Sequence, residues 1–263
     1  MTQGDCAPVG RFHLLADLSK VCIVVAHPDD ETLGCGGLCQ RVSSAVLVHA
    51  TDGVPGESRF FAQKGFCSAE AYRRRRVEEL DLALAKLPTG PHKRIMLGLG
   101  DQELHLHLRA LVRLLTDHLR STGVTSIVTH AFEGGHPDHD VVAFGVAMAA
   151  KQLGGVPVFE MPLYRAERGR TALQSSPDSS FSTVETLVLT PDEVSIKQQM
   201  LRCFSSQQRL TERFSSGVER FRAMPEHDFS SPPNAGDVLY DGFGWGVSSA
   251  MVAISIQRYF ERL

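Results

Sequence analysis

The chain has 263 residues, of which 43% are hydrophobic and 22% charged, the balance of an ordinary globular protein. Its 27 Lys and Arg stand against 30 Asp and Glu, a net charge of −3, so there is no electrostatic reason to expect binding to nucleic acid. The longest clean apolar run, Val141 to Ala150, falls well short of the roughly 20 residues an integral membrane helix needs. The segment Met1 to Arg11 carries Asp5 and no apolar core, which argues against a secretory signal. The expectation is a soluble, cytoplasmic protein.

Val21–Ala26 (VCIVVA) is a continuous β-branched run and predicts a strand buried on both faces. Glu31–Arg41 follows, Gly-rich at first and then compatible with a helix. Ala45–Ala50 predicts a second buried strand, ended by the turn chemistry of Asp52-Gly53. A loop through Pro55-Gly56 leads to a helix over Ala69–Leu87, where Leu80, Leu84 and Leu87 recur at helical spacing and Pro88 and Gly90 stop the run. Arg94–Leu99 predicts a third strand and Leu104–Leu119 an amphipathic helix. Thr125–His130 predicts a fourth strand, and Pro137–Leu153 a helix with proline at its first position. Val156–Met161 and Thr183–Leu189 complete the expected strands, and a helix over Asp192–Cys203 follows. Ser175–Ser182 and Glu226–Gly236 predict loops.

Strands alternating with helices predict one α/β domain built on a parallel sheet covered on both faces. Ligands of such sheets bind outside the carboxyl ends of the strands. The six cysteines (Cys6, Cys22, Cys35, Cys39, Cys67, Cys203) do not form the dense pattern of a short secreted disulfide scaffold. Cys35 and Cys39, one helical turn apart in an apolar segment, are expected in the core.

Two clusters lie where the strand-end rule places a site. Ala26-His27-Pro28-Asp29-Asp30-Glu31 follows the first strand, and Gly134-Gly135-His136-Pro137-Asp138-His139-Asp140 follows the fourth. Either alone is consistent with helix capping. Both together, at the ends of two strands of one sheet, point to a metal. Zinc takes imidazole nitrogen and carboxylate oxygen, and a catalytic site leaves one position open beside three protein ligands. His27, Asp30 and His139 supply such a set, and water bound at the open position becomes a nucleophile at a pKa of about 7. Asp29 and His136 remain as a spare carboxylate and a spare imidazole for proton transfer. Asp138 is placed to orient an imidazole from behind.

The strings AHPDDETLGCGG and GGHPDHD closely resemble the LmbE-like or PIG-L family of zinc-dependent N-deacetylases, over at least residues 20–165. The resemblance implies a Rossmann-like three-layer sandwich with a mostly parallel sheet, forming a single domain over 1–263 with its core in about 20–165. The C-terminal part would complete the sheet and select the substrate. It implies His27, Asp30 and His139 as ligands of one Zn2+ per chain, although another divalent metal would also suit such donors. It makes Asp29 the general base, a distinction between adjacent carboxylates that the residues alone leave open. It assigns His136, with Asp138 behind it, to the oxyanion or the leaving amine. Arg76, three residues before Glu79, and Asp101, after the third strand, match substrate-binding positions; most of Arg73–Arg76 reads as a solvated helix face.

The implied reaction is hydrolysis of the acetamide of an N-acetylglucosamine-type sugar or glycoconjugate. The rivals are an amidase cutting a larger N-acyl group or a thiol conjugate, and a non-catalytic sugar-binding or metal-binding homologue. The intact Asp29 and His136 speak against the last. A nucleotide-binding module is disfavoured because Gly34-Cys35-Gly36-Gly37 is too short for the dinucleotide fingerprint. The expected partner is a small amino-sugar substrate, and homo-oligomerisation stays open. Among the other histidines, His105 and His107 are expected at the surface or in loops, and His49 and His130 as satisfied core residues. Phe132 and Glu133 are placed to gate the pocket. No tyrosine stands between the fourth strand and His136, where relatives use one, and Gly134 or Gly135 cannot replace it.

Overall fold

A computed structural model describes residues 20–89, 92–175 and 184–262. The expected Ser175–Ser182 loop falls almost wholly outside them, as do Cys6, Gly90 and the segment Met1 to Arg11. The first half winds as β1 (Val21–Val25), α1 (Asp30–Arg41), β2 (Val46–Pro55), α2 (Ser58–Gln63), α3 (Ala69–Leu84), β3 (Lys93–Asp101), α4 (Leu108–Thr122), β4 (Ser126–His130), α5 (Pro137–Gln152) and β5 (Val158–Met161). A hairpin of β6 (Tyr164–Glu167) and β7 (Arg170–Leu173) follows. Then come β8 (Val184–Val188), α6 (Pro191–Cys203), the short α7 (Gln208–Thr211), β9 (Val218–Ala223) and α8 (Ser249–Phe260).

Seven strands form the main sheet in the order β3-β2-β1-β4-β5-β9-β8. The first five are parallel, while β9 runs antiparallel to both β5 and β8. The sheet is therefore mostly parallel and flanked by helices, as the resemblance implied. In β1 all five residues are fully buried; Cys22 and Val24 face one apolar layer, Val21, Ile23 and Val25 the other. On the first face pack α4, α5 and α8, and on the second α1. In α4 the residues Leu108, Leu111, Val112, Leu115 and Leu119 make one apolar stripe. Each such leucine contributes about 1.5–3 kcal/mol on burial, and Gly123 at φ 62° ends the helix.

The glycines of α1 serve close packing. A Cβ on Gly34 would lie 2.3 Å from Met161 Sδ, and one on Gly37 would lie 2.7 Å from Leu189. The helix is thereby drawn tight against β5 and the end of β8. Cys35 and Cys39 are fully buried there, as expected.

Several expected boundaries move. Strand β2 does not end at Asp52-Gly53 but continues to Pro55, absorbing Gly53 at φ 67° as an irregularity in its pairing with β3. Helix α3 ends at Leu84, and Leu87 packs as a partly buried loop residue instead of a further helical turn. The amphipathic helix starts at Leu108 because a separate 3-10 turn occupies Leu104–Leu106. That turn buries His105, which is a loop residue as one expectation had it but not a surface one. The sequence reading lacked α2, the β6–β7 hairpin, β9 and α8.

Strand order reverses at β1, which pairs with β2 on one side and β4 on the other. This switch point is where an open α/β sheet leaves a crevice beyond its strand ends. The two histidine-carboxylate clusters lie at that crevice.

Candidate active site

The first cluster is a tight turn into α1. Asp30 N–H donates to the His27 carbonyl at 3.3 Å, and Asp30 Oδ2 accepts the His27 N–H at 2.8 Å. Asp29 sits at φ 125° and ψ −31°, a conformation that L-residues adopt only under constraint. Arg76 supplies the constraint from α3. Its Nη1 donates to Asp29 Oδ2 at 3.1 Å and its Nη2 to the Pro28 carbonyl at 2.6 Å. Arg76 is therefore no part of a solvated face: its side chain is 3% exposed.

The second cluster opens α5. His136 is the N-cap, its Nδ1 accepting the Asp138 N–H at 3.1 Å, with Pro137 at the first helical position. The loop before it is pinned by Asp140, whose Oδ1 accepts the N–H groups of Glu133 at 3.2 Å and Gly134 at 3.1 Å. Tyr240 donates to the other oxygen of Asp140 at 3.1 Å.

The fold brings the two clusters together. His27 Nδ1 lies 3.2 Å and His139 Nε2 3.3 Å from the same atom, Asp30 Oδ2. The rings of His27 and His139 have centroids 5.4 Å apart, and those of His27 and His136 4.5 Å apart. Among the described residues, three donor sets fall within 4.8 Å: His27–His136–His139, Asp30–His130–His139 and His27–Asp101–Asp138. The expected trio is divided between the first two sets, which share His139. Hydrogen bonding discriminates among these donors. His130 Nε2 already accepts the Ala26 N–H at 2.9 Å, so its lone pair is committed. His136 Nδ1 is likewise occupied. His139 Nε2 is buried with no hydrogen-bond partner. Burial would raise the Asp30 carboxyl, but His139 and His130 reverse this and hold it well below the ordinary range.

Two spacings of the expected trio suit a divalent metal such as zinc. Bonds of about 2.0–2.1 Å at tetrahedral angles leave ligand atoms roughly 3.4 Å apart, close to the 3.2 and 3.3 Å seen around Asp30 Oδ2. The opposite nitrogen of His27, Nε2, lies 3.2 Å from Asp101 Oδ1 and 3.3 Å from Asp138 Oδ2. A carboxylate behind a ligating imidazole fixes its tautomer. Asp138 thus stands behind His27, and not behind His136 as the resemblance implied; its backbone, not its carboxylate, meets His136. The Asp138 Oδ2 atom also accepts the Gln102 N–H at 2.6 Å. Burial pushes the Asp29 carboxyl up to about 7 against the attraction of Arg76.

A cavity of about 510 Å³ opens over these groups. His27, Asp29, Asp30, Arg76, Asp101 and His136 line it, so the structure brings most of the expected site residues to one space. Asp138 and His139 stand just behind its wall. Phe132 and Glu133 do not gate it: Phe132 packs against Phe229, and Glu133 Oε1 accepts the N–H groups of Leu163 at 2.7 Å and Tyr164 at 3.0 Å. His49 is fully buried against Glu31 at 3.1 Å, as expected of a core histidine.

Tyr164 is the site residue that sequence reading missed. It lines the cavity with its ring 5.4 Å from that of His139, and its hydroxyl makes no hydrogen bond among the described residues. Gly135 makes room for it, since a Cβ there would lie 2.0 Å from the Tyr164 carbonyl oxygen and 2.8 Å from its ring. The tyrosine absent before His136 is thus matched by one from β6. The available signal was Gly135 itself, a small residue beside a histidine motif.

The profile of the GlcNAc-PI de-N-acetylase family, PIG-L, matches residues 22–150, which span both clusters. The chain carries a PIG-L family domain. It is 29% identical over 212 residues to the 1D-myo-inositol 2-acetamido-2-deoxy-alpha-D-glucopyranoside deacetylase of Salinispora arenicola strain CNS-205, covering 66% of this chain and 68% of the relative. In fold, the PIG-L domain superimposes on the A40926 pseudoaglycone deacetylase Dbv21 with a TM-score of 0.62 at 17% identity, over 79% of this chain and 97% of that one. It also superimposes on GalB, the 4-carboxy-2-hydroxymuconate hydratase of Pseudomonas putida KT2440, with a TM-score of 0.55 at 18% identity, over 79% and 97%. A deacetylase and a hydratase share this architecture, so the fold alone does not assign the activity. Among the described residues no helix is long and apolar enough to cross a membrane.

Proposed function

We propose that this PIG-L protein is a metal-dependent N-deacetylase that hydrolyses the acetamide of an N-acetylglucosamine-type sugar or glycoconjugate. The observation that carries the reading is the placement of His27 and His139 donors 3.2 and 3.3 Å from Asp30 Oδ2, with Asp29 beside them at the base of one cavity. The deacetylase named for Salinispora arenicola, matched over two thirds of its length, supports the same reaction class.

His27, Asp30 and His139 would hold one zinc ion, or another divalent metal of similar preference, which when bound polarises the amide carbonyl and acidifies water. Asp29 accepts the proton of the attacking water. Arg76 fixes the Asp29 carboxylate through Oδ2, so the general base is oriented before substrate arrives. Because His136 Nδ1 accepts a backbone N–H, the neutral ring carries its proton on Nε2. Burial lowers the His136 pKa well below the ordinary value, which keeps that ring neutral and a donor. His136 therefore donates a hydrogen bond to the developing oxyanion, and the proton that Asp29 took from water passes to the departing amine. The Tyr164 hydroxyl is a second donor facing the cavity. Asp101, 6% exposed at the wall, accepts sugar hydroxyls with the oxygen not turned to His27.

Metal analysis tests the assignment. The purified protein, reconstituted and desalted, should retain about one zinc per chain, and a His27→Ala/His139→Ala variant should retain none. Stoichiometric metal in that variant would overturn the ligand set. Asp29→Ala should keep the metal and lose roughly 10²–10⁴-fold in amine release from N-acetylglucosaminides; turnover near the wild-type rate would remove Asp29 as the base.

A further inference from the structure

The outer part of the cavity is built by segments that neither histidine motif contains. On one stretch, Phe243-Gly244-Trp245-Gly246 displays two aromatic rings with centroids 4.6 Å apart. Gly244 at φ 66° and Gly246 at φ 79° give the chain the turns that present them. The Trp245 ring in turn lies 5.0 Å from the ring of His136, so an aromatic shelf runs from His136 to Phe243, which is 43% exposed. The Gly244 carbonyl accepts from Arg59 Nη2 at 2.9 Å, tying the shelf to α2.

Charge on this outer wall has one sign. The carboxylates of the cavity, Asp29, Asp30 and Asp101, all belong to the inner site. Lys64 and Arg213 line the same cavity at exposed positions. Lys64 is already engaged, donating to the Ser206 carbonyl at 2.6 Å and to Gln207 Oε1 at 3.1 Å. Arg213, just after α7, is exposed, and its guanidinium meets no carboxylate among the described residues. A guanidinium free of carboxylates, lining the same cavity as two flat aromatic rings, is complementary to a group that carries a ring and a carboxylate or a phosphate.

We propose that the substrate carries, beyond the amino sugar, a ring-containing aglycone with one anionic group. The Phe243–Trp245 shelf takes the ring face and Arg213 takes the anion. This assignment rests on the deacetylase reading for its orientation, with the acetamide at the inner site, but the outer subsite has a readout of its own. Trp245 is the single tryptophan of the chain, so its intrinsic fluorescence reports occupancy of the shelf without turnover.

The experiment uses the full-length zinc-loaded protein and four β-N-acetylglucosaminides, with methyl, phenyl, 4-carboxyphenyl and 4-phosphophenyl aglycones. Amine release gives kcat/KM. Tryptophan fluorescence gives Kd for the matching glucosides, which lack the acetamide and cannot react. The carboxyphenyl and phosphophenyl compounds should bind roughly tenfold to a hundredfold tighter than phenyl, the range of one charge-assisted hydrogen bond. Whichever of the two binds better identifies the anion. Arg213→Ala and Arg213→Glu, at an exposed position, should abolish that ratio, and Phe243→Ala should abolish the advantage of phenyl over methyl.

Equal Kd values for phenyl and the anionic ligands, or a ratio unchanged in Arg213→Glu, would overturn the subsite and mark Arg213 as a solvated surface cation. Amine release from none of the four, with the fluorescence ratio intact, would overturn the deacetylase reading while the anionic subsite stands.

Discussion

The most exacting perturbation lies away from the site, at a buried ion pair that joins the C-terminal elements to the helix bearing Asp30. Lys197 on α6 and Glu219 on β9 are both fully buried, with Nζ 2.6 Å from Glu219 Oε1. Nζ also donates to the Leu33 carbonyl at 2.9 Å. The Glu219 carboxylate accepts the Gly37 N–H at 2.6 Å and the Leu38 N–H at 2.9 Å. Lys197→Met preserves much of the side-chain volume but leaves a carboxylate buried without its cation. Breaking one member of such a pair costs about 3–5 kcal/mol. At roughly 2–4 °C per kcal/mol for a domain of this size, the Tm should fall by about 6–20 °C. Arg74, whose side chain is 65% exposed and lies 3.8 Å from Glu70, is the control; Arg74→Met should change stability by less than about 1 kcal/mol. The assay is urea unfolding followed by far-UV circular dichroism, with a Lys197→Met/Glu219→Gln double variant to close the cycle. Removing the stranded charge should make the double variant lose less than the sum of its parts. A Lys197→Met variant within 1 kcal/mol of wild type, or strict additivity in the cycle, would refute the reasoning.

Two further outcomes follow from the packing around the second cluster. Gly135→Ala places a Cβ 2.0 Å from the Tyr164 carbonyl oxygen, a backbone atom that moves only with β6. Overpacking of this kind destabilises by about 1–3 kcal/mol, and displacement of Tyr164 should lower kcat with it; a variant unchanged in both would show that β6 is not fixed by this contact. The other concerns pH. Burial pushes the Glu133 carboxyl up to about 8 against the pull of the Leu163 and Tyr164 N–H groups, so the folded chain holds a proton that the unfolded chain, at 4.5, releases. Its contribution to stability is complete below pH 4.5 and is lost as the pH rises through 8, with a slope of at most about 1.4 kcal/mol per pH unit. Glu133→Gln, which cannot ionise, should flatten the decline in unfolding free energy across that window; equal slopes for the two proteins would show that Glu133 ionises freely in the folded state.

Much of this molecule was legible in one dimension. The runs that became β1, β2, β4 and β5 are apolar because inner parallel strands are buried on both faces, and burial of that kind leaves its mark on nearly every residue; β3, at the sheet edge, is only partly buried. The clusters around His27 and His136 were legible as well, since strand-to-helix turns at a switch point must carry the chemistry of an open sheet. The amphipathic stripe of α4 showed for the same reason, although its start moved to Leu108.

Only the tertiary structure decided the rest, and the physical reason is that charge was buried in pairs distant in sequence. Strand β9 reads Val-Glu-Arg-Phe-Arg-Ala, a pattern with no apolar run. It lies inside the sheet because Glu219 meets Lys197 and Arg222 meets Glu160 at 2.7 Å. Arg76 was singled out as a substrate-binding position, but only folding showed that it is set against Asp29, 47 residues earlier. Asp138 was expected behind His136 and stands behind His27, because the Gln102 N–H draws its carboxylate across the crevice. Tyr164, Arg213 and Trp245 carry no motif, and only their convergence on one cavity gives them a role. The sequence by itself determined the parallel strands and offered candidate donors for a metal. The packing of separate segments determined which carboxylate stands behind which histidine, and what surrounds the substrate.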